Sequence, residues 1–138
     1  MKFKKESQEI ETPKRGHSTD AGYDIYSPHT YIVQPHSVSQ RINLGVGFEV
    51  PEGYVGKTEE RSSQGKLGII TAGRVVDHKY TGFIHVTLVN NGSEPYVIKK
   101  GERICQFILV KIGMEDLVEV DSFEITERGD NKEGSTGK

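Results

Sequence analysis

Between residues 41 and 50 the apolar side chains Ile42, Leu44, Val46, Phe48 and Val50 recur at every second position. That period places all five on one face of an extended backbone, whereas a helix would scatter them round its surface. The same alternation returns in Ile84, Val86 and Leu88, separated by His85 and Thr87, until Asn90-Asn91-Gly92 marks a turn. Pro51-Glu52-Gly53 turns the chain between the first run and Tyr54-Val55-Gly56-Lys57, so short strands follow one another through tight connections. The residue types agree: 12 Ile and 13 Val stand against 2 Ala, 5 Leu and 2 Met, and 16 Gly are available for turns. β-branched side chains suit strands better than helices, and the chain reads as all-β, with a meander or jelly-roll topology.

Residues 104–110 are apolar except for Gln106, as expected of a strand covered on both faces. A buried amide without partners costs about 1–3 kcal/mol, so Gln106 is either satisfied by backbone or points into a site. The one helix signal is weak and short, over residues 61–67, where a serine caps a turn or two ahead of Gly68.

At 138 residues the chain fits one domain that buries enough surface to fold without disulfides. Its single Cys105 excludes both a disulfide-stapled module and a Cys-ligated zinc site, and predicts a reduced, cytoplasmic protein. Eighteen Lys and Arg against 20 Asp and Glu give a net charge of −2, which argues against a general nucleic-acid or anionic-membrane binder. No apolar stretch is long enough to cross a bilayer and the first residues lack a signal-peptide core, so no membrane partner is expected. After Ile125 the composition changes: residues 126–138 hold no apolar side chain and three glycines. This predicts a β domain over 1–125 and a flexible arm over 126–138.

Four places gather glycine and polar side chains. In residues 20–27, Asp20 and Asp24 flank Ala21, Gly22 and Tyr23; this is either a capped turn entering a strand or a pair of carboxylates able to hold the water shell of Mg²⁺. Arg61-Ser62-Ser63 opens the short helix and offers a guanidinium and two hydroxyls to an anion, although any helix start uses serine. In residues 72–82 a turn carries Asp77 and Tyr80; it is either an ordinary polar hairpin tip or a carboxylate able to orient and deprotonate water beside a ring that walls a sugar. The tail joins Arg128-Gly129 to Gly134-Ser135-Thr136-Gly137, a pattern of linkers that also suits phosphate oxygens. The five histidines show no metal-ligand spacing, and neither a Walker loop nor a dinucleotide fingerprint is present.

In this order the segments resemble the homotrimeric all-β dUTPase family, whose five motifs span nearly the whole chain. Residues 21–27 are similar to the first motif, and Arg61-Ser62-Ser63 with Lys66 and Gly68 to the second. Residues 75–82 are similar to the third, 101–106 to the fourth, and Arg128-Gly129 with residues 134–137 to the fifth. The resemblance implies a distorted jelly-roll (β-clip, dUTPase-like) with at most one short helix and a flexible C-terminal tail. It implies hydrolysis of dUTP to dUMP and pyrophosphate, by attack of water on the α-phosphorus with Mg²⁺ across the triphosphate. In that scheme Asp77 activates the water, and Tyr80 lies under the sugar and excludes a 2′-hydroxyl. Backbone around Thr71, Val75 and Val76 reads the uracil. Arg61, Ser62, Ser63 and Gln106 hold phosphates, Asp24 reaches the metal through water, and Arg128, Ser135 and Thr136 close over the γ-phosphate. Three subunits share each site. Two positions depart from the family pattern: Arg74 stands where the third motif usually has glycine, and Glu133 where the fifth usually has a ring that stacks on uracil. The resemblance also admits two alternatives, a deaminase of dCTP on the same fold and a regulatory module that binds nucleotide with weak turnover.

Overall fold

The computed structural model of the chain describes residues 1–124 and 126. Ser62–Gly65 is the one helical turn, α1, among the described residues; the strands are β1 (Phe3–Lys5), β2 (Tyr23–Tyr26), β3 (Tyr31–Val33), β4 (Ser37–Val38), β5 (Ile42–Asn43), β6 (Val46–Phe48), β7 (Tyr54–Glu59), β8 (Ile69–Ala72), β9 (Val75–Val76), β10 (His85–Asn90), β11 (Tyr96–Ile98) and β12 (Arg103–Lys111). One antiparallel sheet runs β2-β12-β7-β9; in a second, β10 takes β4 and β5 in succession along one edge and β8 along the other. Two small pairs, β1-β6 and β3-β11, complete the fold.

The inward faces of both sheets meet in a single apolar core that includes Ile25, Ile42, Leu88, Ile104 and Phe107. Phe107 stacks on Phe48 with ring centroids 4.1 Å apart. It reaches that position because Gly56 on the neighbouring strand carries no side chain: a Cβ there would stand 2.3 Å from the Phe107 ring. Cys105 is fully buried on β12, and burial pushes its thiol pKa up, far from thiolate formation.

Three expectations change. The period-two run over residues 42–50 does bury all five apolar side chains, but it is two strands. Gly45 at φ +66° bends the chain, its N–H held by Asn43 Oδ1 at 3.0 Å, so that β5 pairs with β10 and β6 with β1. β12 is covered on both faces only at its start. Ile104, Cys105 and Phe107 are buried, Ile108 and Leu109 only in part, and Val110 is exposed. Beyond it residues 112–124 run outside any strand, with Leu117 at 103% and Phe123 at 90% relative exposure. No serine caps α1: Arg61 takes the cap position, its N–H donates to Gln64 Oε1 at 2.8 Å, and Gln64 Nε2 donates to the Ile104 carbonyl at 2.8 Å. Ser62 and Ser63 therefore lie inside the turn, exposed. No helix among the described residues is long and apolar enough to cross a membrane.

Candidate active site

Among the described residues, all the predicted site residues but Thr71 line two separate cavities. The first, of about 460 Å³, is lined by Asp24, Arg61, Ser62, Ser63, Arg103 and Gln106, with the loop from Gly16 to Gly22 on its rim. Its frame is a charge cluster. Asp24 on β2 accepts from Arg61 Nε at 3.1 Å on one carboxylate oxygen and faces Arg103 Nε at 3.4 Å on the other. The carboxylate is largely covered, at 15% side-chain exposure, so loss of either guanidinium would leave it poorly compensated. Gln106 meets both sequence-based options: its Nε2 donates to the Glu60 carbonyl at 3.0 Å and its side chain lines the cavity. Gly22 makes that possible, since a Cβ there would sit 2.5 Å from Gln106 Oε1. At the rim, the His17 backbone N–H bonded at 2.8 Å to Asp20 Oδ2 holds the Asp20 carboxyl below the usual carboxylate range.

The second cavity, of about 310 Å³, holds Val75, Val76, Asp77 and Tyr80. Here backbone bends set the geometry. The Tyr80 N–H closes a turn on the Asp77 carbonyl at 3.2 Å, Lys79 adopts φ +66° inside it, and His78 Nδ1 ties the turn to the Val50 carbonyl at 2.8 Å. The Tyr80 hydroxyl donates to the Phe83 carbonyl at 3.1 Å across Gly82, where a Cβ would lie 2.3 Å from that hydroxyl. Asp77 is exposed to the cavity. Residues 71–76, whose backbone is expected to read the uracil, form a corner between sheets: β8 pairs with β10 and β9 with β7, and Gly73 at φ +66° makes the switch. Arg74, at the unusual position, pairs with Glu59 on β7. Thr71 faces inward, its Oγ1 donating to the Thr58 carbonyl at 3.2 Å and contacting Glu60 Oε2 at 3.3 Å.

These two cavities share no lining residue. β2 and β9 are the opposite edges of one four-stranded sheet, and three strand spacings separate them by about 14 Å. Glu60 is the link. Its carbonyl holds Gln106 of the first cavity, and its carboxylate accepts the Thr71 N–H at 3.2 Å beneath the corner that forms the second. Burial works to raise the Glu60 pKa, but the N–H bonds from its own amide and from Thr71 outweigh it and hold the carboxyl below its usual range. Arg103 and Glu60 were not singled out in the sequence. Arg103 stood inside the fourth motif-like segment, while nothing near Glu60 marks it. Arg128, Glu133, Ser135 and Thr136 lie outside the described residues.

Among the described residues no three His, Cys, Asp or Glu side chains come together to cage a metal ion. A cation carried by phosphates and keeping its own water does fit beside Asp24, whose oxygens each retain a lone pair after meeting the two arginines.

A family model described as dUTPase matches residues 8–137. The deoxyuridine 5'-triphosphate nucleotidohydrolase of Variola virus is 36% identical over 137 residues, covering 99% of this chain and 92% of that protein. The Mus musculus protein of the same name is 36% identical over 139 residues, covering 100% and 85%. Among solved structures, a Staphylococcus bacteriophage 80alpha dUTPase with dUpNHpp superposes with a TM-score of 0.85 at 29% identity, covering 99% of this chain and 98% of the other. A mutant dUTPase from phage phi11 of S. aureus, described with a structural Mg(II) ion, reaches 0.80 at 26% identity over 89% and 97%.

Proposed function

Because the chain belongs to the dUTPase family, we propose that its hydrolysis of dUTP to dUMP and pyrophosphate takes place where the first cavity of one copy meets the second cavity of another, in a homotrimer. The nucleoside enters the cavity of Asp77 and Tyr80. Backbone of residues 71–76 reads the uracil, and the Tyr80 ring lies under the deoxyribose, where a 2′-hydroxyl would collide with it. Asp77 accepts a proton from water as its oxygen attacks the α-phosphorus; the bond to the α,β-bridging oxygen breaks and pyrophosphate leaves. Arg61, Ser62, Ser63 and Gln106 of the neighbouring copy hold the phosphates, and Arg128, Ser135 and Thr136 close over the γ-phosphate. Mg²⁺ brought by the triphosphate, with Asp24 reached through water, would neutralise phosphate charge.

The observation that supports this reading is the separation of the two cavities, which share no lining residue and reach β2 and β9, the opposite edges of one sheet, as a site shared between copies requires. The exposed apolar residues of 112–124 and of the far end of β12 supply surface for assembly. Complementation tests it. Alone, Asp77→Asn should lower turnover by roughly 10²–10⁴-fold, the usual contribution of a general base, and Arg61→Ala should fail through phosphate binding. Refolded together in equal amounts, the two inactive variants should regain about a quarter of wild-type activity, because random closed trimers place both intact halves at that share of interfaces. No recovery on mixing would rule out the shared site.

A further inference from the structure

The tip of the corner between β8 and β9 is not held by packing. Ala72, Gly73, Val75 and Val76 line the second cavity, yet a Cβ at Gly73 would meet nothing within 4 Å and Val75 is 64% exposed. Polar contacts from the end of β7 hold it instead. On the β8 limb, the Glu60 carboxylate accepts the Thr71 N–H at 3.2 Å and lies 3.3 Å from the Thr71 hydroxyl. On the β9 limb, the Thr58 N–H donates to the Arg74 carbonyl at 3.0 Å. There the Arg74 guanidinium also pairs with the Glu59 carboxylate, whose other oxygen meets Lys57 Nζ at 2.9 Å. Two consecutive acids therefore grip the two limbs of one bend. Thr71 lines neither cavity, so the contact from Glu60 acts on the bend and not on a ligand. Arg74 gives Glu59 its hold, where the glycine usual at this position would offer no side chain.

We propose that Glu59 and Glu60 are positioning residues for base selectivity: by fixing both limbs of the corner they hold its backbone polar groups in the directions that accept uracil and refuse cytosine. This rests on the reading of the cavity as the nucleoside pocket. The two bases are nearly the same shape and differ in which ring-edge atoms donate and which accept, so backbone groups tell them apart only when their directions are fixed. A corner free to turn would meet either base.

Inhibition of dUTP turnover by dUMP and by dCMP reads the selectivity, and calorimetry with inorganic pyrophosphate reports on the first cavity. Glu60→Ala and Glu59→Ala should each lower the preference for dUMP over dCMP by about 3–10-fold, the range of one hydrogen bond. Pyrophosphate affinity should stay unchanged, because the backbone carbonyl of residue 60 that holds Gln106 remains in place. Glu60→Gln, whose amide oxygen still accepts the Thr71 N–H, should recover most of the loss. Glu59→Ala combined with Arg74→Ala should lose no more than either alone, as for two halves of one contact. Should Glu60→Ala fail to fold, Glu59→Ala decides, since it frees an Arg74 side chain already 39% exposed to solvent. An unchanged preference in either folded variant, equal losses for dUMP, dCMP and pyrophosphate, or a Gln variant as poor as Ala would each overturn the proposal. If instead wild-type protein fails to turn over dUTP, the reading of the cavity itself falls; wild-type turnover with indifferent alanine variants removes only the role of the two acids.

Discussion

The two cavities are held in shape by different physics. Around the first, charged and amide side chains brace one another: Asp24 sits between Arg61 and Arg103, and Gln106 is anchored on Glu60. Around the second, the main chain itself is bent, through Gly73 and Lys79 at positive φ and through the absence of a side chain at Gly82. The contrast suits the ligands. Phosphate oxygens are met best by guanidinium groups fixed in advance, while a base and a sugar are met by backbone polar groups and a ring held at a set angle.

Three changes would break or sharpen that contrast. Asp24→Ala should have the largest effect, removing the carboxylate that orients both arginines. KM for dUTP should rise by about 10–100-fold, as two charge-assisted contacts lose their alignment, while dUMP binding changes much less; steady-state kinetics beside calorimetry would show it, and equal losses for both ligands would contradict the division of labour. Gly82→Ala should come next. A methyl group on the Tyr80 hydroxyl would force the ring off the proposed sugar position, so dUMP should weaken by about 3–10-fold, as for one lost contact, while inorganic pyrophosphate, which in the proposed arrangement avoids the second cavity, should bind as before.

The smallest effect concerns the bridge between the cavities. The Glu60 carboxyl is held below its ordinary pKa in the folded chain, so its contribution is present above the unfolded value and is lost as pH falls through the folded one. The stability difference between wild type and Glu60→Gln, at most about 1 kcal/mol for a group with this much solvent screening, should be visible in thermal unfolding at neutral pH. It should close as the solution is acidified below the ordinary carboxylate range; a difference that grows on acidification would mean that Glu60 is not stabilising as an anion.

How much of this could be read from the chain follows from the range of each interaction. The alternation of residues 42–50 names five core side chains correctly because burial is set by local period, yet the break at Gly45 escapes it, since the change of partner from β10 to β1 depends on distant strands. Asp24, Arg61, Gln106, Asp77 and Tyr80 were all visible as polar residues in glycine-rich or apolar settings, whereas Arg103 was not singled out. Their grouping came only through the resemblance, because the Asp24–Arg61 pair spans 37 residues and arises only when β12 takes β2 on one side and β7, the strand before Arg61, on the other. The exposure of β12 at its far end was missed for a related reason: an apolar run reports that a surface needs cover, without saying whether the same chain supplies it.

Cys105 lies on β12 between β2 and β7, in the strand that carries Gln106, with its thiol sealed from solvent and held protonated by burial. Thiolate-seeking reagents therefore meet it only during openings that part this sheet. With no second cysteine in the sequence to confuse the signal, its labelling rate serves as an internal clock for those openings. Any ligand that binds only the closed sheet must slow that clock in proportion to its occupancy.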